Sequence, residues 1–190
     1  MFNLREETLT EPNDRISEYL NLRIDFGGIA SGPTRETTRT RIAKAFESLP
    51  GEIVDLFLKG TRNLQIKLIP DPILPFGMKT RSESYLGRPI YTITICDEAQ
   101  IWEEDRFLGS FLRELGHVVA MLPPESEWPT DRGERARFRE LVECKADALV
   151  WKWGLRHYDI IYLSATYPSH WVDKIVNDIS LMLIYDEKSD

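Results

Sequence analysis

The sequence predicts an α+β domain with a small mixed or antiparallel sheet, and three observations support this. Two short segments, residues 64–69 and 91–95, alternate apolar with polar residues, as half-buried strands do. Several longer segments carry apolar residues at helical spacing. With 190 residues, of which 42% are hydrophobic, the chain can form one core. We therefore expect a single domain at residues 35–190, with residues 1–34 as an extension packed on it.

Charge and cysteine content narrow the classes of function. A net charge of −7 and a pI near 5.1 disfavour nucleic acid and anionic membranes as partners, since both require a basic surface. Residues 1–7 contain no basic stretch followed by an apolar one, and no apolar run approaches membrane-spanning length. Cys96 and Cys144 are too few for a disulfide framework. We expect a cytoplasmic protein whose partner is a peptide or another protein.

The first third of the chain is predicted to be mainly helical. Within the extension, only residues 15–22 have a helical pattern. Thr34 suits the N-cap of a helix over residues 35–48, and residues 53–58 form another helix that ends at Gly60. The first strand follows and stops before a connection that contains proline and glycine.

The second strand consists of Tyr91, Thr92, Ile93, Thr94 and Ile95. Its threonines and its tyrosine are predicted to face outward, so we place this strand near an edge of the sheet. The chain then enters a helix over residues 102–122.

This central helix carries three ionisable side chains on one face. Arg113 and His117 are four residues apart, and Glu114 lies three residues before His117. Apolar residues recur along the opposite stripe. The helix should therefore pack one side into the core and present the three side chains to whatever lies opposite.

A second long helix, over residues 134–153, has an acidic face. Glu140, Glu143 and Asp147 follow one another at spacings of three and four, and such stacked carboxylates are costly unless a cation lies opposite. A linker that contains Tyr158 and Tyr162 leads from this helix to a final helix. We expect the central helix to supply the cation.

Together the two helices resemble those of the zincin-like metallopeptidases, and in particular the gluzincins and the small bacterial and phage peptidases of the ImmA/IrrE type. These proteins carry H-E-x-x-H on one helix and E-x-x-A-[DN] on a later one. Glu114 and His117 match the first motif, and Glu143 and Asp147 match the second. The resemblance implies a zincin-like fold in which His117 and Glu143 bind zinc and Glu114 is the catalytic general base. It also implies that the strand at residues 91–95 aligns an extended peptide along its edge.

The chain departs from this family at Arg113, which stands where the first zinc-binding histidine would be. A guanidinium stays protonated and cannot ligate zinc. If each ligand contributes about 3 kcal/mol, its loss lowers zinc affinity roughly a hundredfold. In several gluzincins the aspartate equivalent to Asp147 hydrogen-bonds that histidine, so we expect Arg113 to pair with Asp147 or Glu143. The sequence thus predicts a degenerate zinc site with weak or no zinc binding, lost or reduced peptidase activity, and a peptide-binding or regulatory role.

Two alternatives remain open. The protein could be an active zinc peptidase with a rebuilt site, in which Glu114 is the general base and the missing ligand is Cys144, His157, His170 or Glu140. Alternatively, the two helices simply pack together, and their charged residues form a salt-bridged seam unrelated to any peptidase.

Overall fold

The chain forms a four-stranded sheet and, within the described residues, eight α-helices. The structure is a computed structural model that describes residues 12–27, 32–69 and 77–187. Parts of the predicted extension (1–11 and 28–31) and of the connection after the first strand (70–76) lie outside these residues. The strands are β1 (Ile24–Asp25), β2 (Asn63–Ile69), β3 (Met78–Tyr85) and β4 (Arg88–Cys96). The helices are α1 (Pro12–Arg23), α2 (Gly32–Glu47), α3 (Gly51–Leu58), α4 (Asp97–Gln100), α5 (Glu104–Val119), α6 (Arg132–Lys152), α7 (Arg156–Thr166) and α8 (Ser169–Glu187).

The sheet is mixed, with the strand order β1-β2-β4-β3. β1, β2 and β4 run parallel to one another, whereas β3 runs antiparallel to β4. The predicted α+β class with a small mixed sheet is therefore confirmed. None of the helices in the described ranges is long and apolar enough to cross a membrane.

The prediction that residues 91–95 form an edge strand is wrong. They lie in β4, which pairs with β2 on one side and with β3 on the other, so that Ile93 lies between Ile66 and Thr80. Tyr91 is buried rather than outward-facing, because it shares the core face of the strand with Ile93 and Ile95. An extended peptide cannot add to β4, since both edges of that strand are already paired.

β3 is the edge strand that lies beside α5, and the sequence analysis missed it. It forms a hairpin with β4 in which Tyr85 pairs with Arg88 across the two residues Leu86 and Gly87. Both turn residues have positive φ, as a tight hairpin of this length requires. Among the strands of the described residues, none pairs with the outer edge of β3.

The N-terminal segment belongs to the same core as the rest of the chain. α1 contains the helix predicted over residues 15–22, and it buries Ile16 and Leu20. β1 pairs with β2 and so extends the sheet by one short strand. The described part of the predicted extension is thus integrated into the domain.

α5 is buried along most of its length, and two glycines let its neighbours approach closely. A Cβ at Gly116 would lie 2.7 Å from the backbone carbonyl oxygen of Ala146 in α6. A Cβ at Gly109 would clash in the same way with the carbonyl oxygen of Tyr158 in α7. Because glycine has no Cβ, α6 and α7 can both pack directly against α5. This packing brings the acidic face of α6 to the charged face of α5.

We predict that Gly116→Ala destabilises the protein by about 1–3 kcal/mol, because the added methyl group must push α5 away from the α6 backbone. Urea unfolding followed by circular dichroism measures this. Gly51→Ala is the matched control, since a Cβ at Gly51 meets nothing within 4 Å. Equal unfolding free energies for the two variants would show that the close approach of α5 and α6 does not constrain the fold.

Candidate functional site

The centre of the site is an ion-pair network between α5 and α6 that is buried at Arg113 and Asp147 and partly exposed at Glu143. The Nε of Arg113 donates to Asp147 Oδ1, and its Nη2 lies 3.3 Å from Asp147 Oδ2. The same Nη2 lies 3.0 Å from Glu143 Oε2. The side chain of Arg113 is 7% exposed and that of Asp147 is 1% exposed, so the pair is shielded from solvent. The predicted contact of Arg113 with Asp147 or Glu143 is confirmed, and the structure shows contacts with both carboxylates.

The guanidinium of Arg113 remains charged in this position. Burial alone would lower its pKa, but the charges of Asp147 and Glu143 outweigh burial and hold the pKa well above its usual value. An arginine fork can satisfy two carboxylates at once, which an ammonium group does less well. Arg113 therefore supplies the cation that the acidic face of α6 requires.

His117 joins the network through Glu143. Its Nε2 lies 3.2 Å from the Oε2 of Glu143 that also contacts Arg113. Burial would raise the pKa of Glu143, but Arg113 and the hydrogen bond with His117 outweigh it and lower the pKa to about 2. Since Glu143 is ionised, it accepts the hydrogen bond and His117 Nε2 donates it.

The pKa of His117 is raised. Burial works in the opposite direction, but the hydrogen bond with Glu143 and the charges of Glu114 and Glu143 outweigh it. The Nδ1 of His117 is buried and has no hydrogen-bond partner among the described residues.

Glu114 points toward the sheet and bonds with the edge strand. Its Oε2 accepts a hydrogen bond of 2.6 Å from the backbone N–H of Thr80 in β3, and Thr80 Oγ1 donates to the Glu114 carbonyl at 3.2 Å. The carboxylate thus satisfies a backbone donor that the edge of a sheet would otherwise leave open. Glu114 ties α5 to β3.

α7 forms a further layer around Arg113. The ring centroid of Tyr162 lies 5.6 Å from Arg113 Cζ, and this tyrosine is almost fully buried. Asp159 is also buried and accepts a hydrogen bond of 2.7 Å from Trp151 Nε1. Burial, together with the charge of Asp147, raises the pKa of Asp159 to about 8. Burial and the neighbouring carboxylate thus favour the protonated form of Asp159.

A cleft of about 380 Å³ opens between β3 and the helices beside this network. Thr80 and Ser82 lie on the β3 side, and Val142 lies on α6. The loop after α5 contributes Leu122 and Trp128. Arg113, Glu114, His117 and Glu143 all border this cleft.

The side chains at the centre of the network do not fit a zinc ion. His117 Nε2 and Glu143 Oε2 are close enough to share one, but the neighbouring position is taken by Arg113 Nη2, which carries a positive charge and no free electron pair. In the described residues, no group of three histidine, cysteine, aspartate or glutamate side chains could hold a metal ion. Glu140, His157 and His170 are exposed, and Cys144 is half-buried. Burial raises the pKa of the Cys144 thiol to about 11, which further weakens it as a ligand.

Comparisons with protein-family models, with curated proteins and with solved structures found no significant match to this chain. The resemblance to zincin-like peptidases therefore depends on the two sequence motifs alone.

The structure brings Arg113, Glu114, His117, Glu143 and Asp147 to one place, as the sequence analysis expected. Sequence analysis missed the contributions of β3 and α7. Thr80 and Ser82 occupy buried positions of β3 that are usually apolar, so the alternation that marks a half-buried strand is absent. α7 lies where the sequence analysis expects a linker, although the interval between Gly154 and Pro168 contains no helix breaker.

We predict that Glu143→Gln lowers the pKa of His117, because the variant removes the negative charge that stabilises the imidazolium. Nuclear magnetic resonance titration of the histidine rings measures this pKa. Because the folded-state pKa is raised, the stabilisation from His117 is fully present below about pH 6.5 and is lost as the pH rises through the raised value. An unchanged His117 pKa would contradict the contact with Glu143.

Proposed function

We propose that this protein is a zincin-like fold in which a buried arginine has replaced the zinc ion, and that it binds a peptide or protein segment without metal-dependent cleavage. The observation that carries the proposal is the contact of Arg113 with both Asp147 and Glu143. In the family that the motifs resemble, these two positions are a second-layer partner and a zinc ligand. Here one guanidinium bonds with both.

Charge balance supports this assignment. A zinc ion would neutralise the Glu143 carboxylate and hold it beside His117. The positively charged Arg113 neutralises the same carboxylate and holds it in the same position. A second cation in the same place would be repelled by the guanidinium, whose nearest nitrogen is 3.0 Å from Glu143. We therefore infer that Arg113 replaces the metal in holding α5 and α6 together.

Two observations favour this assignment over the alternative of an active peptidase with a rebuilt site. One oxygen of the Glu114 carboxylate, Oε2, holds the edge strand by accepting a 2.6 Å bond from the Thr80 N–H. The candidate third ligands Cys144, His157, His170 and Glu140 also form no metal-binding group with His117 and Glu143 in the described ranges. Glu114 is better explained as the residue that fixes the edge strand against α5.

The binding role rests on β3 rather than on β4. Strand addition at residues 91–95 is excluded by the pairing of β4, but β3 has an outer edge along the cleft that no strand of the described ranges occupies. An extended peptide can add to such an edge through main-chain hydrogen bonds, while neighbouring pockets select its side chains. The partner that we propose is thus a peptide or a protein segment.

We predict that Arg113→His raises the affinity for zinc by about a hundredfold or more, because the variant restores a neutral ligand and removes the positive charge. Asp147 would then be free to orient the new imidazole. Isothermal titration with zinc and elemental analysis after dialysis measure the effect. Bound zinc should also raise the Tm of the variant, since it replaces the lost cation.

The matched control is Arg137→His, which makes the same substitution at an exposed position of α6. It should leave zinc binding at the level of the native protein. Tight stoichiometric zinc in the native protein would contradict the proposed function. An Arg113→His variant that folds but gains no zinc would show that His117 and Glu143 do not form part of a zincin-like frame.

A further inference from the structure

Some of the charged side chains that border the cleft have a hydrogen-bond or ion-pair partner, and others have none among the described residues. This difference indicates which class of peptide the cleft would bind. Glu125 lies 3.1 Å from Lys79, Glu114 is held by Thr80, and Glu143 is held by Arg113 and His117. Each glutamate that borders the cleft therefore has a partner.

Two arginines at the cleft do not have such a partner. Arg81 of β3 and Arg139 of α6 both border the cleft, and neither makes an ion pair or a hydrogen bond with any of the described residues. Their charges act on the cleft carboxylates. The pKa of Glu125 is lowered, mainly by its hydrogen bond with Lys79 and further by the charge of Arg81. Arg139 contributes, after Arg113 and His117, to the lowered pKa of Glu143. Arg81 and Arg139 are therefore cationic side chains at the cleft that no carboxylate of the described residues pairs with, in a chain whose net charge is −7.

The backbone of β3 indicates where a peptide would begin to pair. Along an antiparallel edge strand, the N–H and C=O groups of alternate residues point away from the paired neighbour. Thr80 is one of these residues, because its N–H bonds with Glu114 rather than with β4. Ser82 and Ser84 follow at the same period, so their main-chain groups point to the free edge. The Oγ of Ser82 is buried at the cleft and has no hydrogen-bond partner among the described residues.

From this arrangement we propose that the cleft binds an extended acidic peptide, paired with β3 at Ser82 and Ser84, with its carboxylates at Arg81 and Arg139. The inference rests on the proposed peptide-binding function and adds the class of peptide. Glu83 and Glu127 line a neighbouring pocket beside Ser84 and do not border the cleft itself, so the acidic side chains of the peptide belong in the cleft. Because the Thr80 N–H already donates to Glu114, main-chain pairing between the peptide and β3 begins at Ser82.

Fluorescence anisotropy with three labelled peptides of about eight residues tests the proposal. The peptides alternate valine with glutamate, glutamine or lysine. We expect the glutamate peptide to bind roughly threefold to tenfold tighter than the glutamine peptide, as two exposed ion pairs allow, and the lysine peptide to bind most weakly. The preference should shrink in 1 M salt, where charges are screened over about 3 Å.

Arg81→Gln and Arg139→Gln should each reduce the preference for glutamate, whereas Arg137→Gln, the same change at an exposed site on α6, should leave it unaltered. Ser84→Pro removes one free-edge N–H without removing a bond to β4, and it should weaken all three peptides, while Ser84→Ala should not. If Ser84→Pro does not fold, the arginine variants still decide the charge preference.

The outcomes separate the two proposals. Equal binding of the three peptides, or tightest binding of the lysine peptide, overturns the acidic preference but leaves peptide binding intact. If none of the peptides binds, the peptide-binding function itself fails, and the acidic preference fails with it. A preference for glutamate that survives both arginine substitutions overturns the assignment of Arg81 and Arg139.

Discussion

The contact of Arg113 with the buried Asp147 and the partly exposed Glu143 is the constraint on which the rest of the site depends. Without a cation, the two carboxylates on one face of α6 would repel each other and Asp147 would resist burial. Arg113 reaches both because α5 and α6 approach closely at Gly116, where a side chain would meet the α6 backbone. The charge network and the close helix packing therefore require each other.

The same arrangement determines the shape of the cleft. Glu143 is fixed by Arg113, and it in turn holds His117 at the floor. Glu114, one residue from Arg113 on α5, bonds with the Thr80 N–H and so sets the distance between α5 and the edge strand. Arg113, Glu114 and Glu143 thus fix the relative positions of two helices and a strand. A stable cleft beside an open strand edge is suited to binding an extended segment.

The sequence predicted this network because helical spacing is a reliable guide to which residues share a face. Arg113 and His117 are separated by one turn of α5, as Glu143 and Asp147 are by one turn of α6, so two predicted helices were enough to bring them together. The pairing of strands was not predictable in this way. The alternation of polar and apolar residues in β4 indicates which side chains share a face of the strand, but it does not indicate which strands pair with its edges. One edge of β4 pairs with its hairpin partner β3. β3 is not predictable from the sequence for two reasons. Its buried positions Thr80 and Ser82 are polar because they border the cleft, and Leu86-Gly87 is a weaker hairpin signal than Asn-Gly or Asp-Gly.

The central claim, that Arg113 takes the place of the metal, is tested most directly by a double-mutant cycle in the presence of a chelator. The free energy of unfolding is measured in urea with EDTA for the native protein, Arg113→Gln, Asp147→Asn and the double variant. We predict that the chelator leaves the unfolding free energy of the native protein unchanged. Each single variant should lose about 3–5 kcal/mol of unfolding free energy, and the coupling energy between Arg113 and Asp147 should be about 1.5–3 kcal/mol. A native protein that is destabilised by the chelator, or single-variant losses that simply add, would contradict the claim.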